Sequence, residues 1–111
     1  MRNIDSLRTS KEFNRVYQAH RSLADPYLVV YKAEGSGKIG IVCSKKVGNS
    51  VVRHRFARLV REAYRLNKEN IRKDHDIIVI ARKGAKDQGF TVIESSLISL
   101  LKRHSLYEMK N

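Results

Sequence analysis

The most constraining feature of this chain is a helical periodicity between Val51 and Asn67. Apolar side chains recur there at intervals of four and three residues, which gathers them on one side of an α-helix. These side chains are Val52, Phe56, Leu59, Ala63 and Leu66. Because most helices in proteins are stabilised by burying such a face, the pattern predicts an amphipathic helix that closes a core.

The opposite side of the same predicted helix is strongly basic. At about 3.6 residues per turn, one narrow band contains four cationic or titratable side chains and two more flank it. They are His54, Arg58, Arg61 and Arg65 in the band, with Arg53 and Arg55 beside it. Only Glu62 offers an acidic partner, whereas an ordinary solvated helix face intersperses both signs.

Arg53 and Arg55 fall in the first turn, where the helix dipole is already positive and acidic residues are preferred. Free backbone N–H groups and guanidinium groups at one helix end favour a bound anion. The whole chain has 23 Lys and Arg against 11 Asp and Glu, a formal charge of +12. A polyanionic partner is the simplest reason for that self-repulsion, so we predict nucleic-acid binding, with an anionic membrane as the alternative.

Two further helices are predicted by capping boxes, in which a Thr is followed three residues later by Glu. Thr9 and Glu12 predict a first helix over about 10–19, and Thr91 and Glu94 predict a last helix over about 91–106.

Strand signals occupy the segments between the helices. Pro26 marks a boundary before the β-branched and aromatic run Tyr27–Ala33, and a Gly-rich turn separates that run from Lys38–Ser44. We expect these two runs to form an antiparallel hairpin. Ile77–Ala81 is wholly apolar, which predicts a strand that is buried on both faces. The predicted order is α, β, β, α, β, α in a single domain, 1–111.

No group of residues is typical of a protein active site. The acidic residues are scattered, and the nearest approach to a cluster, Asp74-His75-Asp76, is better explained by capping and solvation than by a metal. His20 and His104 have no evident partner, and Cys43 lies in an apolar run where it is expected to pack. We therefore expect no catalytic residue and no metal ligand in this chain.

The chain contains no apolar run of signal-peptide or membrane-spanning length, so we expect a cytoplasmic protein with no membrane partner.

The run SKKVGNSVVRHRFARLVREAYR resembles the signature of the bacterial ribonuclease P protein component. The resemblance extends to EFNRVYQAHRSLADPYLVVYKAEG, to Ile39-Gly40-Ile41 and to DIIVIARKGA, so it covers nearly the whole chain. Two positions depart from the family motif: His54 stands where asparagine is usual, and Ala57 where lysine is common.

The resemblance implies two groups of binding residues. The basic helix is expected to contact the catalytic RNA through Arg53, His54, Arg55, Arg58, Arg61, Arg65 and Lys46. A cleft beside the first helix is expected to take the single-stranded 5′ leader of precursor tRNA through Phe13, Tyr17, Tyr31, Lys45, Arg82 and Lys83. From the residues alone, Phe13 and Tyr17 on one helix face are more typical of a core than of a ligand-binding surface.

The fold implied is α+β: a mixed sheet of three to four strands, three helices and a left-handed β-α-β crossover. The reaction implied is removal of the leader by the RNA subunit with Mg²⁺ that the RNA mainly holds, with no required protein partner. The alternatives are another basic RNA-binding protein, such as a ribosomal protein or an RNA chaperone, a membrane-surface protein, and a free-standing nuclease.

Overall fold

A four-stranded mixed sheet lies between two layers of helix in the computed structural model, which describes residues 4–109. The strand order in the sheet is β1-β2-β4-β3. In chain order the elements are α1 (Ser10–Tyr17), β1 (Arg21–Ala24), β2 (Leu28–Glu34), β3 (Ile39–Val42), α2 (Ser50–Asn67), β4 (His75–Ala81) and α3 (Phe90–Arg103), with 3-10 turns at Lys68–Asn70 and Lys83–Ala85. The predicted α+β class and the predicted order of elements are confirmed, with the short strand β1 added.

Strand β4 is the centre of the sheet. It pairs antiparallel with β2 on one side and parallel with β3 on the other. The predicted burial of Ile77–Ala81 is confirmed except at Ile80, which is partly buried, and Asp76 is buried as well. Helix α2 connects β3 to its parallel neighbour β4, so the predicted parallel crossover is present; its left hand stays a prediction from the resemblance.

The predicted hairpin between Tyr27–Ala33 and Lys38–Ser44 is wrong, because β4 lies between β2 and β3. The loop after β2 instead wraps around the start of β4, where the Asp76 carboxylate accepts hydrogen bonds from the backbone N–H groups of Ser36 (3.0 Å) and Lys38 (2.8 Å). A Cβ on Gly35 would lie 2.3 Å from Cγ of Asp76, so glycine permits this close approach. The strand that forms a hairpin with β2 is β1, which was not predicted.

The two faces of the sheet bury different layers. Leu28, Val30 and Val79 belong to the main core under α2 and α3. Ala33 and Ile78 belong to a smaller cluster under α1, on the other face. This division follows from the alternation of side chains along a strand.

Helix α2 begins after Asn49, whose side chain accepts a hydrogen bond from the Val52 N–H at 3.0 Å. Phe56 and Ala63 are buried, and Val52 and Leu59 are partly buried. The prediction for Leu66 is wrong: it is 56% exposed, because it lies at the margin of a buried stripe centred on Val60.

The first predicted capping box is confirmed and the second is wrong. Thr9 and Glu12 cap α1 reciprocally, although α1 ends at Tyr17 rather than 19. Helix α3 begins after Gly89 without a side-chain cap. Glu94 instead accepts a hydrogen bond from Nδ2 of Asn67 at 2.9 Å, so it joins α3 to α2.

Among the carboxylates, Asp76 is expected to contribute most to the free energy of unfolding. Its side chain is 3% exposed, pairs with the Arg15 guanidinium and caps two backbone N–H groups. Asp76→Ala should lower the free energy of unfolding by about 3 kcal/mol, because it leaves these donors unsatisfied. Urea unfolding measures this, and the exposed Asp87→Ala is the charge-matched control; equal losses in the two variants would contradict the assignment.

Glu12 should make α1 sensitive to acid. Hydrogen bonds from the backbone N–H groups of Arg8 and Thr9, together with Lys38, lower the pKa of Glu12 from 4.5 to about 2. Stability from a carboxylate with a lowered pKa is present above its unfolded value and lost as pH falls toward the folded value. Glu12→Ala should therefore lower the Tm at pH 7, and the difference from wild type should vanish between pH 4.5 and 2. A difference that stays constant with pH would count against the capping role.

Candidate nucleic-acid interface

The turn before α2 presents two lysines. The Val47 N–H donates to the Ser44 carbonyl at 3.1 Å, and the Val47 side chain is buried. Val47 therefore holds the turn against the core, and Lys45 and Lys46 stay exposed. Asn49 then caps α2, whose first turn contains no acidic residue. The start of α2 is therefore uniformly positive.

The outward face of α2 is cationic over its first three turns. His54, Arg58 and Arg61 are exposed and line one surface depression together with Ser50 and Val51. None of these three side chains forms an ion pair with a carboxylate among residues 4–109. We call His54, Arg58 and Arg61 the arginine face.

The other predicted helix residues differ from the arginine face. Arg65 forms an ion pair with Glu62, whose Oε2 lies 2.7 Å from Nη2 of Arg65. Arg53 and Arg55 are half-buried, and their guanidinium groups donate to the backbone carbonyls of Gly48 (3.4 Å) and Gln88 (2.9 Å). These two arginines therefore also hold the loops on either side of the start of α2.

The three predicted aromatic residues lie together on the sheet face under α1. Phe13, Tyr17 and Tyr31 are all partly buried, and the rings of Tyr17 and Tyr31 meet edge to face with centroids 4.9 Å apart. Burial and the neighbouring Tyr31 raise the pKa of Tyr17, so its hydroxyl stays protonated.

The exposed margin of this cluster continues along the sheet through Val42 and Ile80, which sequence reasoning missed. The register pairs Tyr31 with Ile78. Alternation along β4 therefore puts Ile80 on the same face. That signal becomes available only once β4 is known to neighbour β2. We call the surface formed by Phe13, Tyr17, Tyr31, Val42 and Ile80 the aromatic groove.

The predicted basic residues of the leader site lie at one end of the sheet. Strands β3 and β4 are parallel, so the residues that follow them, including Lys45 and Arg82, lie at the same end of the sheet. Arg82 and Lys83 are exposed, and Nη1 of Arg82 donates to the Asp25 carbonyl at 3.1 Å. The structure thus gathers the aromatic residues on one sheet face and the cations at the ends of its strands.

Three other titratable groups that the sequence singled out have structural surroundings that account for them. Burial raises the pKa of the Cys43 thiol, which packs against the main core as predicted. His104 is buried and has a partner after all, since its Nε2 lies 2.8 Å from the Val30 carbonyl; burial lowers its pKa. Asp74 is paired with Arg72 and His75.

Within residues 4–109, no group of three or more His, Cys, Asp or Glu is placed to hold a metal ion. In the same part of the chain no helix has both the length and the apolar character needed to cross a bilayer.

Comparison with known proteins agrees with this arrangement. A family model described as ribonuclease P matches residues 1–105. The ribonuclease P protein component of Lachnoclostridium phytofermentans is 44% identical over 105 residues, covering 92% of this chain and 90% of the relative. That of Clostridium novyi is 42% identical, covering 96% of this chain and 99% of the relative.

Solved structures give the same result for the fold. The RNase P protein of Staphylococcus aureus superimposes with a TM-score of 0.85 at 34% identity, covering 93% of this chain and 97% of that one. The RNase P protein of Thermotoga maritima superimposes with a TM-score of 0.80 at 34% identity, covering 89% and 96%. The chain therefore belongs to the ribonuclease P protein family, the protein components of an endoribonuclease ribonucleoprotein that matures tRNA 5′ ends.

Proposed function

We propose that the arginine face binds the catalytic RNA of ribonuclease P while the aromatic groove holds the 5′ leader of precursor tRNA. The observation that carries this proposal is that Arg58 and Arg61 are exposed and have no carboxylate partner within the described residues, 4–109, whereas Arg65, Arg72 and Arg15 are each paired. Arginines left unpaired on one helix face fit a line of phosphates, because each guanidinium can donate to two phosphate oxygens.

Arg53, Arg55 and Lys46 extend this contact around the start of α2. Because Arg53 and Arg55 already donate to the carbonyls of Gly48 and Gln88, they approach the RNA with fixed geometry. His54 adds a ring that can donate to phosphate or stack on a base.

The aromatic groove suits a single strand of variable sequence. Base stacking on aromatic rings tolerates any base and contributes roughly 1–3 kcal/mol per base. Lys45, Arg82 and Lys83 supply positive charge at the strand ends for the leader phosphates. Tyr17 and Tyr31 of the groove lie on the sheet face opposite α2, so both RNAs can bind at once; the two surfaces meet only at the sheet edge, where Phe13 and Arg61 come together.

In this proposal the chain supplies charge and position, and the RNA supplies the reaction. Mg²⁺ is held mainly by the RNA, since the acids that sequence reasoning singled out, Asp74 and Asp76, are engaged by Arg72, His75 and Arg15. The setting implied by a precursor tRNA substrate is the cytoplasm, and no further protein partner is required.

The proposal is tested by cleavage of a precursor tRNA at low Mg²⁺ with a bacterial ribonuclease P RNA, with and without the protein. We expect the protein to restore cleavage and to produce none when the RNA subunit is omitted. Cleavage by the protein alone would instead indicate a free-standing nuclease.

Removing the arginine face should weaken RNA binding. The double variant Arg58→Ala with Arg61→Ala should bind the RNA subunit at least about tenfold more weakly, because two charge-assisted phosphate contacts are lost. The slope of log affinity against log salt should fall by roughly 1.5. Filter binding over a range of KCl concentrations measures both quantities.

The matched control for that variant is Arg65→Ala with Arg72→Ala, which removes the same charge from residues already paired with Glu62 and Asp74. If the two double variants lose equal affinity, net charge rather than the arginine face carries the binding.

Removing an aromatic ring should affect only substrates that carry a leader. Tyr31→Leu should weaken binding of precursor tRNA by the assembled ribonucleoprotein by about tenfold and leave mature tRNA unaffected, because one stacking surface is lost. Tyr27→Leu is the control, since Tyr27 packs against the main core on the other side of the sheet. Equal losses for both RNAs would place Tyr31 outside the leader site.

A further inference from the structure

A small cavity opens at the free edge of the sheet, between the two surfaces already described. It has a volume of about 150 Å³. Its walls come from the segment before α1, from β3 and from α2, and include Ser6, Leu7, Phe13, Ile41, Ala57 and Arg61. We call it the edge pocket. A cavity of this volume accepts one six-membered aromatic ring.

One backbone N–H and one backbone C=O beside the edge pocket have no hydrogen-bond partner on a neighbouring strand among residues 4–109. Strand β3 is the last strand of the sheet, and at Ile39 its outer edge is covered: Ile39 N–H donates to the Asp5 carbonyl, and Leu7 N–H donates to the Ile39 carbonyl, both at 3.0 Å. The backbone of Ile41, two residues on, points to the same outer edge because alternate residues of a strand share an edge. Within residues 4–109, no such cross-strand partner is found for Ile41.

The walls around Ile41 are those of a site for a flat, polar ring. Phe13 and Leu7 provide an apolar surface on the side of α1, and the short side chain of Ala57 leaves the opposite side open. The Ala57 side chain ends at its methyl group, so it fills little of the cavity. An adjacent donor and acceptor match the Watson–Crick edge of a nucleobase, which also presents a donor beside an acceptor.

Arg61 connects the edge pocket to the arginine face, since it lines both. An RNA chain whose phosphate is bound by Arg61 therefore has a base within reach of the cavity. We propose that the edge pocket binds one unpaired nucleobase of the catalytic RNA, recognised by the backbone N–H and C=O of Ile41 and enclosed by Phe13 and Ala57. This inference rests on the proposed function, because it takes the RNA on the arginine face as the source of the base.

The direct test uses the wild-type protein and small probes. In ¹H–¹⁵N spectra, cytidine, uridine and adenosine 5′-monophosphates are titrated in parallel with ribose 5-phosphate, which carries the phosphate without the base. At least one nucleotide should shift the Ile41 amide saturably, whereas ribose 5-phosphate should shift only signals near Arg58 and Arg61. An Ile41 amide that no nucleotide moves, or that ribose 5-phosphate moves equally, would overturn the proposal.

The second test uses the complete RNA subunit. Ala57→Leu fills the pocket with little change in helix propensity and should weaken RNA binding about tenfold, the value of one stacked base. Ser95→Leu adds the same side chain on the outer face of α3 and should bind normally. Unfolding curves check that both variants fold. The nucleotide titration uses only the wild-type protein, so it tests the proposal even if a variant does not fold.

The outcomes separate the two proposals. If the wild type does not bind the RNA subunit, the proposed function fails, whatever the nucleotides do. If the wild type binds and Ala57→Leu binds equally well, only the nucleobase pocket fails. If the Ile41 amide moves with protein concentration and not with nucleotide, the free edge of β3 pairs with a second copy of the chain and the nucleobase proposal is wrong.

Discussion

The structure depends on burying one short apolar strand on both faces. Strand β4 packs against α2 and α3 through one set of side chains and against α1 through the other, so each helical layer is held by the same seven residues. The carboxylate of Asp76 fixes the start of this strand by capping the loop after β2 and pairing with Arg15 of α1. Helix α2 connects β3 to β4, so the pairing of these two strands fixes the position of α2 on the sheet. That position in turn determines where the arginines of α2 face solvent.

Local sequence patterns predicted all three helices, although the capping box at Thr91 and Glu94 does not form, whereas they could not predict which distant strands pair. The periodicity around Phe56 and the box at Thr9 and Glu12 involve residues within a few positions of each other, and both are confirmed except at Leu66. The hairpin failed because a turn sequence between two strands says only that the chain reverses. Which strand lies beside β2 is decided by the burial of Ile77–Ala81, more than forty positions further on.

The candidate site shows the same division. Spacing alone placed Arg58 and Arg61 on one outward face, and they lie there. Spacing also puts Glu62 three residues before Arg65, where the ion pair forms. It does not reveal that Arg55 reaches the carbonyl of Gln88, because that contact depends on a distant loop. The edge pocket was not predicted at all, since it is formed by three segments that meet only in the folded chain.

The separation of the arginine face from the aromatic groove by the sheet has a practical consequence for inhibition. A compound lodged beside Tyr17 and Tyr31 would occupy the face opposite α2 and leave Arg58 and Arg61 accessible. Such a compound would not dissolve the ribonucleoprotein. The assembled particle would bind its substrate more weakly. In kinetic measurements the compound would compete with precursor tRNA rather than with the RNA subunit.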